Sequence, residues 1–196
     1  MACLVAAAQV PKCLRSTQDQ AVVFKGGDEI KGIAIRVHCD TSLGTQADGK
    51  GHGGIFVTMR SGHIHARSTK VKMITLSSTE TAQYVMCDAT TYALWGRAII
   101  KMLGLYNVAK PCRMYQDNAA AIGMTRRNET SVCIKHSMFR SNIVREAVER
   151  GDTKWHFKRT HNLAPDMLTR CLPRATLLRP IAEMSMRDIK PEEGKE

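Results

Sequence analysis

The chain has 196 residues, 43% of them hydrophobic, enough for the core of one globular domain. It carries 29 Lys and Arg against 18 Asp and Glu, a formal charge of +11, and no apolar run near the ~18 residues of a spanning helix. Its seven cysteines, at positions 3, 13, 39, 87, 112, 133 and 171, form no close pair; this excludes a zinc ribbon or a CxxC redox motif and suits reduced thiols in an intracellular protein.

The opening stretch MACLVAAAQVPKCLRS reads as a truncated helix or a frayed end, with a weaker likeness to an organelle-targeting segment that is poor in Arg. Lys25-Gly26-Gly27-Asp28 is a turn or linker that separates it from the main body. Gly32 to Asp40 alternates as a strand, with Ile33, Ile35 and Val37 on one face. A glycine-rich turn is expected next, through Gly44, Gly49, Gly51, Gly53 and Gly54, and it lacks the order of a phosphate-binding loop. Ile55 to Arg60 predicts a second strand, Ser61-Gly62 a tight turn, and a third strand falls within His63 to Thr75. His63 and His65 share one face of that strand and read as a surface pair.

A helix starts at Ser77 or Ser78. Its apolar residues recur at Ala82, Val85, Met86, Ala89, Ala93, Ile100 and Leu103, and Gly104 stops it. Cys112 to Gln116 is a fourth strand, and Asn118 caps a short helix that runs to about Met124. Ser137 to Arg150 is a further helix ended by Gly151, Trp155 to Arg159 a fifth strand, and Pro165 opens a last helix. The order predicts an α/β fold with a five-stranded mixed sheet flanked by helices. Three regions follow: an N-terminal piece over 1–27, the domain over 28–178, and a polar tail over 179–196.

The charge is uneven along this frame. Ala182 to Glu196 hold five acids and three bases, so the other 181 residues carry 26 bases against 13 acids. Such a field draws in phosphates, although a solvated basic surface is the simpler reading of charge alone. Four acids nevertheless fall where a strand ends or a helix begins: Asp40, Glu80, Asp117 and Asp166. Each has a plain structural role available. Asp40 and Asp117 suit turns. Glu80, three residues after Ser77, suits a capping box that bonds back to the Ser77 backbone. Asp166 complements a helix dipole. Together the four also suit hard divalent cations, which take oxygen ligands and can serve in pairs to activate water.

The run LSSTETAQY (76–84) closely resembles the LSSTEAEY signature of the ribonuclease H domain in copia-type LTR retrotransposon polyproteins. The similarity continues in order through ALWGRAIIKMLG (93–104), MYQDNAAAI (114–122), IKHSMFRSNIVREAVERGD (134–152) and DMLTRCLP (166–173). It covers about Gly32 to Leu178, and LRSTQDQAVVF (14–24) resembles the end of the preceding reverse transcriptase. The resemblance implies the ribonuclease H fold and two-metal cleavage of the RNA strand of RNA–DNA hybrids during reverse transcription. The expected cofactor is two Mg²⁺ ions, with Mn²⁺ an alternative.

The family's catalytic and metal-binding acids carry over to Asp40, Glu80, Asp117 and Asp166. They take precedence there over the cap reading of Glu80. Arg126, Arg127, Lys135 and Arg159 are expected to track the hybrid backbone, and His161 sits where a proton-shuttling histidine of the family lies. Implied partners are the hybrid, the reverse transcriptase of the same polyprotein and a ribonucleoprotein assembly, with no membrane. The implied location is a cytoplasmic virus-like particle, with mitochondria as the alternative. The sequence departs from the family at Asp40-Thr41-Ser42, where Asp-Ala-Asp is usual, and at Pro165, where Ala is usual. A domesticated, weakly active or inactive binding subunit therefore stays open beside the enzyme, as does an integrase-like nuclease of the same superfamily. Cleavage assays on hybrid and on duplex DNA separate the three.

Overall fold

The computed structural model describes residues 2–24, 34–105, 111–126, 135–160 and 163–189. The centre is a sheet of β2 (Ile35–Ser42), β3 (His52–Met59), β4 (Gly62–Lys70), β5 (Cys112–Gln116) and β6 (Thr153–Phe157), in the order β4-β3-β2-β5-β6. The first three strands form an antiparallel meander, and β5 and β6 add in parallel beside β2. Parallel neighbours need crossovers. Here the connections run through α2 (Ser78–Met102), then through α3 (Ala119–Met124) and α4 (Lys135–Glu149). This is the five-stranded mixed sheet expected from the sequence.

Period-two alternation assigns the faces. Ile35, Val37 and Cys39 of β2, Cys112 and Met114 of β5, and Trp155 of β6 are buried in one cluster with Val85, Met86, Ala89 and Ala93 of α2. α4 adds Val144 to the same cluster. Ser77 caps α2 as expected, its side chain accepting from the Glu80 N–H, and Asn118 caps α3 through the Ala121 N–H. Gly104 and Gly151 lie at φ +69° and +72° just past α2 and α4, a region open to glycine at little cost.

Some boundaries differ from the sequence reading. β2 reaches Ser42, and Gly32 and Ile33 lie outside the described residues, as does the expected turn at 25–28. Gly53 and Gly54 belong to β3, paired with Thr41 and Asp40, and not to the expected turn. They serve close approach: a Cβ on Gly53 would strike the Val85 side chain of α2, and one on Gly54 would sit 2.8 Å from the Pro165 carbonyl oxygen. The tight turn lies at Arg60-Ser61, with Arg60 at φ 54°, and Gly62 opens β4.

The chain ends also do more than the sequence suggests. β1 (Gln20–Val22), which follows the helix α1 (Ala2–Ser16), pairs antiparallel with β7 (Met186–Asp188), so segments expected to flank the domain meet in a two-stranded sheet. Short α5 (Asp166–Thr169) and α6 (Arg174–Glu183) precede β7. Met184 is buried with Phe56 and Ala164, and His63 Nδ1 donates to the Met184 carbonyl at 2.8 Å. Part of the far sheet face, over β3 and β4, is thereby covered.

Candidate functional site

Asp40 lies on β2 on the face away from α2 and is almost fully buried, 3% exposed. A buried carboxylate needs a donor. Thr169 Oγ1 supplies one to Asp40 Oδ2 at 2.5 Å. Burial, followed by the neighbouring charges of Asp117 and Asp166, raises the Asp40 pKa from 3.8 to about 6 against that bond. Asp117 and Asp166, from a strand end and a short helix far away in sequence, therefore lie near enough to act on the strand residue Asp40.

Each carboxylate of this group is held by the protein. Thr160 Oγ1 donates to Asp117 Oδ2 at 2.6 Å, and Arg170 Nε donates to Asp166 Oδ1 at 2.5 Å. The hydrogen bond to Asp166, followed by the charges of Asp166, Asp40 and Asp117, raises the Arg170 pKa against burial. Glu80 is bonded elsewhere. Its Oε2 accepts from the Leu76 N–H at 2.8 Å, so it closes a capping box one residue upstream of the Ser77 N–H predicted from spacing. In this conformation it serves the cap.

The donor set fits a hard divalent cation by chemistry, because it consists of carboxylate oxygens and includes a buried carboxylate whose ionisation its neighbours oppose. It is not drawn together as a cage. Among the described residues no three His, Cys, Asp or Glu side chains are grouped closely enough to hold an ion. Thr160, Thr169, Arg170 and the Leu76 N–H each engage one oxygen of one of the four carboxylates.

These positioning partners were missed in the sequence. Thr169 and Arg170 stand three and four residues after Asp166, a spacing that brings side chains together on a helical turn. That spacing offered a signal. Thr160 offered none, since only the packing of the segment after β6 puts it beside Asp117. Gly54 is the other missed contributor: lacking a Cβ opposite Asp40, it lets α5 settle onto the site.

Of the expected backbone-tracking cations, Arg126 is exposed at the end of α3, near enough to His156 to help lower its pKa, after burial, Lys154 and Arg113. Arg159 is exposed just beyond β6. Lys135 begins α4, while Arg127, the side chain of Lys135, and His161 lie outside the described residues. Between Asp40 and Arg36 on β2, His38 is buried and its pKa is lowered to about 3, first by burial and then by Lys158 and Arg36. No helix among the described residues is long and apolar enough to cross a membrane.

The fold is that of ribonuclease H. LC11-RNase H1, isolated from compost by a metagenomic approach, superposes with a TM-score of 0.51 at 14% identity, over 69% of this chain and 91% of that one. The N-terminal RNase H domain of a Mycobacterium tuberculosis protein, solved as a fusion with maltose-binding protein, gives 0.50 at 9% identity, over 77% and 98%. In sequence, the chain is related to the retrovirus-related Pol polyprotein from transposon TNT 1-94 of Nicotiana tabacum, with 28% identity over 163 residues. That match spans 82% of this chain and only 12% of the polyprotein's length. No family model matches the chain.

Proposed function

We propose that this domain hydrolyses the RNA strand of RNA–DNA hybrids during reverse transcription of a copia-type LTR retrotransposon, as one part of a polyprotein that also carries the reverse transcriptase. The observation that carries this reading is that Asp117 and Asp166 stand close enough to act on buried Asp40, and all three on Arg170, within a ribonuclease H-like sheet. The ordered motifs and the relationship to a Pol polyprotein support it.

Asp40, Glu80, Asp117 and Asp166 would hold two Mg²⁺ ions, or Mn²⁺, which when bound supply water activation and charge neutralisation at the scissile phosphate. Asp40 and Asp117 anchor the site from neighbouring strands β2 and β5. Asp166 would complete the second, looser site, and Glu80 would hold one ion near the substrate hydroxyl; their present partners, Arg170 and the Leu76 N–H, would have to give way. Thr160 and Thr169 hold their carboxylates in place until substrate arrives. Arg126, Arg127, Lys135 and Arg159 steer the hybrid's phosphates. Recognition of this kind follows helix shape and 2′-hydroxyls more than base identity.

The test is hydrolysis of an end-labelled hybrid with Mg²⁺. Asp117→Asn is expected to lower the rate at least about 100-fold, equivalent to ~2.7 kcal/mol of barrier. Unchanged activity in that variant would sink the assignment. The capped and hydroxyl-bonded carboxylates favour one rival, a hybrid-binding subunit with little hydrolysis. Tight hybrid binding by the wild-type chain without cleavage would select it.

A further inference from the structure

The far face of the sheet is covered over β3 and β4 by Ala164 and Met184, which pack with Phe56 of β3. Over β2, β5 and β6 it presents a different pattern. The register aligns Arg36 with Arg113 and Arg113 with Lys154, so three cations stand side by side across three adjacent strands. All three are exposed, and among the described residues none has a carboxylate partner. Strands lie about 4.8 Å apart, so the row is about 10 Å wide. Like charges directly opposite one another destabilise a sheet. The row therefore costs the isolated fold something that a polyanion would return.

Two residues further along the same strands, the register aligns His38 with Tyr115 and Tyr115 with His156. The Tyr115 ring stacks on His38 at 4.6 Å between centroids and lies 5.6 Å from His156. Tyr115 and His156 are both half-exposed. A two-residue step along a strand is about 6.6 Å, so a row of rings runs beside a row of cations at that separation. Sheet faces of this make-up bind unpaired strands: cations take the backbone phosphates, and aromatic rings take the unstacked bases. Duplex would satisfy the cations but offer no unstacked base to the half-exposed Tyr115 and His156, whose ring row already carries Lys158 over Tyr115. An acidic protein would do the same.

We propose that the open β2–β5–β6 face is a single-stranded nucleic-acid site, with phosphates on Arg36, Arg113 and Lys154 and a base on Tyr115 and His156. It is separate from the carboxylate cluster, although Asp40 continues the line of Arg36 and His38 along β2. The site does not depend on hydrolysis.

Binding of a fluorescein-labelled unstructured oligonucleotide to the full chain, followed by anisotropy in EDTA over a range of salt, tests it whether or not the chain cleaves hybrids. The combined Arg36→Gln, Arg113→Gln and Lys154→Gln variant is expected to lose at least about tenfold in affinity, with a salt slope shallower by about 2 for three lost phosphate contacts. Tyr115→Leu is expected to lose about 5- to 100-fold through stacking. Lys12→Gln, Lys72→Gln and Lys101→Gln together remove the same charge from other exposed positions and should leave affinity within about twofold. Equal losses in the two triple variants overturn the proposal. So does displacement of the strand by polyglutamate as effectively as by unlabelled oligonucleotide. Should the first triple variant fail to fold, photocrosslinking of a 4-thiouridine strand to the wild-type chain decides. Adducts on the Cys112–Asp117 peptide support the site, and adducts only elsewhere overturn it.

Discussion

The two faces of the central sheet are made by the same strands and have opposite characters. Toward α2, β2 turns Ile35, Val37 and Cys39 into a dry cluster with Met114, Trp155 and Ala89. Away from α2 it turns Arg36, His38 and Asp40, one exposed cation and two buried ionisable groups. The pleat thus separates folding from chemistry within one eight-residue strand. The α2 side of the sheet is apolar at its centre and buries polar Gln116 and Thr153 only at the ends of β5 and β6. On the polar face α5 gives Asp40 the Thr169 hydroxyl, and Tyr115 stacks on His38.

The contrast can be broken first on the apolar side. Trp155→Ala removes a large side chain that is 3% exposed and should cost about 3–5 kcal/mol of stability, read from denaturant midpoints. Loss of less than about 1 kcal/mol would mean that the α2 face is not the main support of the fold.

On the polar side the sign reverses. Asp40 has its pKa raised from 3.8 to about 6, so ionising it works against the fold by up to about 3 kcal/mol at ~1.4 kcal/mol per pH unit. Below about pH 4 the group is protonated in both the folded and unfolded chain and the penalty is absent. It grows as pH rises and is complete above about pH 6. Asp40→Asn keeps a carbonyl acceptor for the Thr169 hydroxyl and removes the charge. In EDTA it should therefore raise the melting temperature at neutral pH, converge with wild type near pH 4, and lose hydrolysis. A variant less stable than wild type at neutral pH would contradict the assigned strain.

The smallest expected effect joins the two regions. Gly54→Ala places a methyl 2.8 Å from the Pro165 carbonyl oxygen and should cost about 1–3 kcal/mol by pushing α5 outward. Because α5 carries Asp166 and Thr169, hydrolysis should fall by more than the stability loss explains. Activity that simply tracks stability would show that the seating of α5 on Asp40 is unimportant.

Legibility of the molecule in its sequence followed how local each signal was. The alternation of Ile35 and Val37, the helical spacing from Ala82 to Ile100, and the caps at Ser77 and Asn118 each depend on near neighbours, and all are found in the structure. Gly53 and Gly54 were misread because glycine marks turns and close approaches alike, and only the helices pressing from both sides tell them apart. Glu80 illustrates the same limit at the site: its spacing predicted a cap, and the chosen N–H, that of Leu76, depends on how the preceding loop enters the helix. The pairing of β1 with β7 joins residues more than 160 positions apart and left no local trace.

By itself the sequence determined the five strands of the central sheet, their order of types and the choice of four acids. These follow from backbone periodicity and from motifs that are continuous along the chain. Tertiary structure alone decided that Asp117 and Asp166 stand near enough to act on Asp40, that Thr160, Thr169 and Arg170 hold the three, and that three cations line up across β2, β5 and β6. The physical reason is that charge interactions and strand register depend on distances in space, which the chain sets only after its apolar face has closed on α2.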